Sequence, residues 1–180
     1  MPRFFVYLCV SLALLFTACS ASETTVSEQE LETTVPAKYP AWFNSNGVQS
    51  DSLSFHVYST AVAADSLRAI RNAQRTARTQ LESHISDAVE EVRSELEENG
   101  NSQAASTSYI LMLNEAVDAV DTAAEEDKID VWTTDQHFRA FVQISLSKAG
   151  FTEILKNHFE EGSGDWAAFS GTSAYSEELQ

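Results

Sequence analysis

Cysteine is nearly absent. The 180-residue chain has two, Cys9 and Cys19, and both fall at its N-terminal end. No disulfide can form in the chain beyond Cys19, so whatever folds there must be held by packing. Basic residues are scarce too: 11 Lys and Arg stand against 27 Asp and Glu, a formal net charge of −16. Such a chain repels nucleic-acid phosphate and anionic headgroups, and no basic patch offsets this, which excludes nucleic acid as a partner. No apolar run reaches membrane-spanning length; Phe4 to Phe16 is the length of a secretory h-region. The sequence also lacks G-x-S-x-G, a P-loop, a dinucleotide-binding fingerprint, an EF-hand loop and any internal repeat.

What is present begins with that apolar run. Arg3 precedes it, and Thr17-Ala18-Cys19 closes it. A small residue before a cysteine at this place resembles the lipobox of bacterial lipoproteins, whose cysteine is lipidated and becomes the mature N-terminus. Phe16 stands where that motif usually has an aliphatic residue, and the plainer alternative is ordinary signal-peptidase cleavage that releases a free periplasmic or secreted protein. On the lipobox reading residues 1–18 are a signal peptide and Cys19 is the lipid-attachment site. Its several acyl chains satisfy the two-anchor requirement for stable membrane attachment. Arg3 leaves with the leader, so eleven basic residues become ten and −16 becomes −17. Ser20 follows the cysteine in place of a retention aspartate, which directs the expectation to the outer membrane of the cell envelope. Residues 19–38, rich in Ser, Thr and Glu, read as a flexible tether.

Residues 39–161 read as one folded domain. "YPAWF" (Tyr39 to Phe43) opens it, followed by the turn-prone Asn44-Ser45-Asn46-Gly47. Leu53 to Val62 alternates, with Leu53, Phe55, Val57 and Ala61 on one face and His56, Tyr58 and Thr60 on the other, a strand buried on one side. Asp65 is a candidate N-cap for a long helix reaching about Glu98, whose stripe is Ile70, Ala73, Ala77, Leu81, Ile85, Ala88, Val92 and Leu96. Gly100 suits its C-terminal end. Ile110, Leu113, Val117, Val120 and Ala124 predict a second helix over about 104–125, antiparallel to the first, with Asp118, Asp121 and Glu125 brought near Arg75 and Arg78. Ile129 to Trp132 and Phe138 to Leu146 read as a strand hairpin, with Phe138, Ala140, Val142, Ile144 and Leu146 inward. Phe151, Ile154, Leu155 and Phe159 mark a last helix, and residues 162–180 read as a loose tail. The order predicts an α+β fold: a small antiparallel sheet of about three strands with a long helix and a second helix on one face.

The combination of lipobox, Pro40-Ala41-Trp42, a strand, the Ala/Arg-rich helix "AIRNAQRTARTQLESHI" and the hairpin "IDVWTTDQHFRAFVQISL" resembles the LPP20 family of bacterial lipoproteins. The resemblance spans about Pro40 to Leu155. It implies an envelope lipoprotein with a cystatin-like helix on a curved sheet, and it does not imply an enzyme.

The residues agree with a non-enzymatic reading. His56, His84, His137 and His158 fall in no ligand spacing, and each reads as structural or solvated. The acidic runs Glu90-Glu91, Glu97-Glu98 and Glu125-Glu126-Asp127 lack the glycine and alternating donors of a calcium loop. No cofactor or metal is expected. The least bland feature is the outer sheet face, where alternation places His56, Tyr58, Trp132 and Phe141. Such a face invites a cover. The cover is either the chain itself, through "YPAWF" or "DWAAF" (Asp165 to Phe169), or a partner. Two functions follow: a lipid-tethered interaction or assembly protein with an envelope protein partner, or a cystatin-like module that binds a small apolar or glycan ligand. Oligomeric state is not legible.

Overall fold

A computed structural model describes residues 38–180 apart from Asp135 and Ser163. The expected signal peptide, Cys19 and all of the tether but Lys38 lie outside the described residues. The chain runs β1 (Val48–Ser50), β2 (Ser54–Ala63), α1 (Ser66–Glu98), α2 (Thr107–Asp118), α3 (Val120–Ala123), β3 (Glu125–Thr133), β4 (Phe138–Ser147), α4 (Lys148–Glu161), α5 (Trp166–Ser170) and a π-helical turn (Tyr175–Leu179). This is an α+β fold on a four-stranded antiparallel sheet of order β1-β2-β4-β3.

The 33-residue α1 starts where Asp65 accepts from the Arg68 amide and stops at Gly100, whose φ of +88° few other residues adopt. There the Gly100 amide donates to Glu97 and the Asn101 amide to Leu96, the paired bonds of a Schellman stop. Its buried stripe is alanine early (Ala69, Ala73, Ala77) and larger later (Leu81, Ile85, Val89, Val92, Leu96), and it lies across β2 and β4. The inward residues of those strands, Phe55, Val57, Ala140, Val142, Ile144 and Leu146, complete the core with it. Leu81 and Ile85 have no solvent exposure.

The sheet has four strands where three were expected. The additional one, β1, is Val-Gln-Ser, too short and too polar to show alternation. Leu53 is 74% exposed because it sits in a turn built on Asp51, whose carboxylate accepts from the Leu53 and Ser54 amides, before the helix-covered stretch begins. The second helical stripe is shifted: Tyr109, Met112, Leu113, Ala116 and Val117 are buried, and Ile110 faces out. That helix ends at Asp118 and β3 begins at Glu125, so residues read as a helix end and a connection pair with β4. Arg78 reaches Asp121 (3.3 Å) and Glu126 (3.5 Å), while Arg75 turns to Asn72.

Residues 162–180 correct the expectation of a loose tail. Phe169, Tyr175 and Leu179 are buried, and Trp166, Phe169 and Tyr175 form an aromatic cluster that meets Phe159 and, through it, Tyr109. Their spacing is too irregular for either periodicity, so nothing local marked them as core.

Candidate functional site

The strand alternation of β2, β4 and β3 sends His56, Tyr58, Phe141 and Trp132 to the side of the sheet away from α1, and cross-strand pairing brings them together. Tyr58 pairs with Gln143, Asp130 with Phe141 and Trp132 with Arg139. The Trp132 and Phe141 rings lie 4.9 Å apart, edge to face.

The face is covered by the chain itself. Tyr39, Trp42 and Phe43 form a strap across it: Phe43 packs 5.1 Å from Phe141 and 6.1 Å from Tyr58, and Tyr39 stacks on Phe43 at 5.3 Å. Phe141 is thereby fully buried, whereas Tyr58 and Trp132 stay half-buried. One polar bond fixes the strap's register, the Trp42 Nε1–H donating to Asp130 Oδ2 at 2.9 Å, and the Lys128 ammonium lies 5.9 Å over the Trp42 ring. The Phe43 amide closes a turn on the Pro40 carbonyl, and Gly47, at φ +84°, redirects the chain into β1. The other candidate cover, "DWAAF", packs instead with Phe159 and Tyr175.

His56 belongs to a polar network next to this aromatic patch. Its Nε2 lies 3.2 Å from Asp51 Oδ2, and Gln143 Nε2 donates to its Nδ1 at 3.4 Å and to Asp127 Oδ2 at 3.3 Å. Ser145 Oγ donates to Asp127 Oδ1 at 3.0 Å. The Asp51 carboxyl is held below its ordinary range by the amides of Leu53 and Ser54 and then by His56. Burial, with Asp127 and Asp51 nearby, pushes the Tyr58 phenol upward. The serine hydroxyl bonds the Asp127 carboxylate and not the imidazole. The network ties the β1–β2 turn, β2, β4 and the β3 bulge into one sheet face.

The remaining histidines are apart from it. His84 packs on Phe55 at 5.6 Å, His158 Nδ1 donates to the Ile154 carbonyl at 2.9 Å, and His137 is exposed beside its turn. Among the described residues no three His, Cys, Asp or Glu side chains are arranged to hold a metal ion. The space between α1 and the sheet is filled by core side chains. A groove of about 480 Å³ lies outside it, between α1 and α2, open to solvent and lined by Glu82, Ser86, Asp87, Asn114, Val117 and Asp118 among others.

Asp127, Lys128, Asp130 and Gln143 are part of this face and escaped the sequence reading. The alternation that located Trp132 and Phe141 places Lys128, Asp130 and Gln143 there as well, but an outward polar residue on a strand is ordinary and carries no signal of its own. Asp127 was hidden further, because the bulge between Glu126 and Lys128 breaks the period. Comparison with known proteins leaves the geometry to speak alone: no family model matches the chain, and no curated protein or solved structure gives a significant match.

Proposed function

We propose that this chain is a lipid-anchored envelope lipoprotein of the LPP20 type, whose cystatin-like domain works by contact with another envelope component, in assembly and not in catalysis. The observation that carries this reading is the strap. A ligand-binding module of this shape needs an open aromatic face or an open helix–sheet gap. Here Tyr39, Trp42 and Phe43 occupy the first, and Leu81, Ile85, Val142 and Ile144 fill the second. What such a domain offers is its surface, on a rigid body joined through Lys38 and the strap to the segment that carries Cys19. Its acidity, −16 over the chain, favours a basic protein partner over anionic headgroups.

Cys19→Ser tests the anchor. The variant is expected to lose palmitate labelling and to move from the detergent-extracted membrane fraction to the soluble fraction; unchanged partition would sink the lipoprotein reading. Affinity capture of the intact protein from membranes, with mass spectrometry of what comes with it, tests the contact role, and a wild-type chain that captures nothing specific overturns it.

A further inference from the structure

Resting on the contact role just described, we propose that the free edge of β3 receives an added strand from a partner, an extended segment in which apolar and basic residues alternate.

The backbone decides where such a strand could pair. Sheet order puts β3 at an edge along its whole length, whereas part of β2's outer flank is taken by β1. The Tyr58 amide donates to the Gly47 carbonyl on the β1 side, so the alternate residues Phe55, Val57, Ser59 and Ala61 turn their backbone groups toward β4. Their partners Leu146, Ile144, Val142 and Ala140 face back. Arg139, Phe141 and Gln143 therefore face β3, where they pair with Trp132, Asp130 and Lys128. Ile129, Val131 and Thr133 are left with N–H and C=O directed outward, and no strand lies beside them among the described residues.

The side chains of the same residues point to the helix face, but the helix layer stops short of them. α1 lies over β2 and β4, which leaves Ile129 40% exposed and Val131 half-buried. Edge strands are normally protected by charge, proline or a bulge. In β3 the bulge and the run Glu125-Glu126-Asp127 protect the first part, while Ile129 to Thr133 has no bulge, no proline and a single charge, Asp130. An added strand would hydrogen-bond to Ile129, Val131 and Thr133 and place every second side chain over the uncovered Ile129 and Val131. Its other side chains would reach the outer face near Asp127 and Asp130. Glu125, Asp127 and Asp130 against Lys128 on that side of β3 ask for basic residues there, whereas Glu126 is taken by Arg78 and Gln74 on the helix side. A second copy of this chain would bring the same carboxylates and another −16, so charge disfavours self-pairing.

Amide hydrogen exchange on the full chain in nonionic micelles, with and without a short peptide of alternating Lys and Val, tests the proposal. The Ile129, Val131 and Thr133 amides are expected to exchange freely alone and to slow on the order of tenfold with peptide, while Lys128, Asp130 and Trp132, already in the ladder, do not change. Val131→Pro removes an N–H that the β3–β4 ladder does not use, and Ile129→Lys adds an edge charge without proline; both should abolish the slowing. A peptide of alternating Glu and Val should produce none. The proposal is overturned if the Lys–Val peptide leaves those three amides unprotected. It is equally overturned if they become protected without peptide as protein concentration rises, which assigns the edge to a second copy. This readout needs no cellular partner, so its failure is separable from a failed membrane capture.

Discussion

Glu95, near the end of α1, accepts three hydrogen bonds from the C-terminal segment: Ser173 N and Oγ on Oε1, at 3.1 and 2.8 Å, and Ala174 N on Oε2 at 2.7 Å. The Ala174 amide above all, then Ser173, holds this carboxyl below its ordinary value of 4.5. A folded value lower than the unfolded one makes the contribution to stability complete above the unfolded value and lost as pH falls through the folded one. The stability difference between wild type and Glu95→Gln should therefore be largest near neutral pH and close on acidification below the ordinary glutamate range, measured by denaturant unfolding at several pH values. A difference that stays constant with pH would show that the carboxylate's charge plays no part. On the other side of the molecule, Trp132 packs on the buried Phe141 beneath the strap. Trp132→Ala should cost roughly 1–3 kcal/mol of stability and loosen the strap, since a half-buried aromatic loses both area and ring contacts. Intact stability with lost partner capture would instead make Trp132 a binding anchor.

At the scale of elements, the long helix and strand β4 are self-explanatory, because each carries a sustained period of its own. The C-terminal elements are not. α5 is five residues long, begins where Asp165 accepts from the Ala168 amide, and owes its place to ring contacts with Phe159 and Tyr175. The turn after it is fixed by Glu95. Together they pack on Phe159, a buried side chain of α4 that in turn meets the buried Tyr109 of α2. Ending the chain at Glu161 should therefore lower the melting temperature substantially and raise binding of an apolar dye, since Phe169, Tyr175 and Leu179 each contribute burial worth about 1.5–3 kcal/mol. A truncated chain that melts with the full one would return these residues to the status of a tail.

At the largest scale, that of the described residues together, stability comes from one layer of helices on one sheet, sealed at the outer face by the strap and at the helix side by the C-terminal cluster. The described residues contain no cysteine, so the thermal transition of the full chain should be the same with and without reductant. A lowered transition in reductant would show that a cysteine outside the described residues takes part in a structural disulfide.

The sequence by itself determined what a local period can encode. The α1 stripe, the inward faces of β2 and β4 and the caps at Asp65 and Gly100 are all legible, because burial on one face forces a repeat of two or of three and four. Alternation also placed His56, Tyr58, Trp132 and Phe141 on one outer face. What covers that face was beyond it: two aromatic segments, "YPAWF" and "DWAAF", were equally suited by composition. Only the tertiary structure laid the first across Phe141, through the Trp42–Asp130 bond between residues far apart in the chain, and turned the second to Phe159. The strand β1, the β3 bulge and the packed C-terminus were decided there too. Each is too short or too irregular for a period, held by partners that the chain brings near only once it has folded.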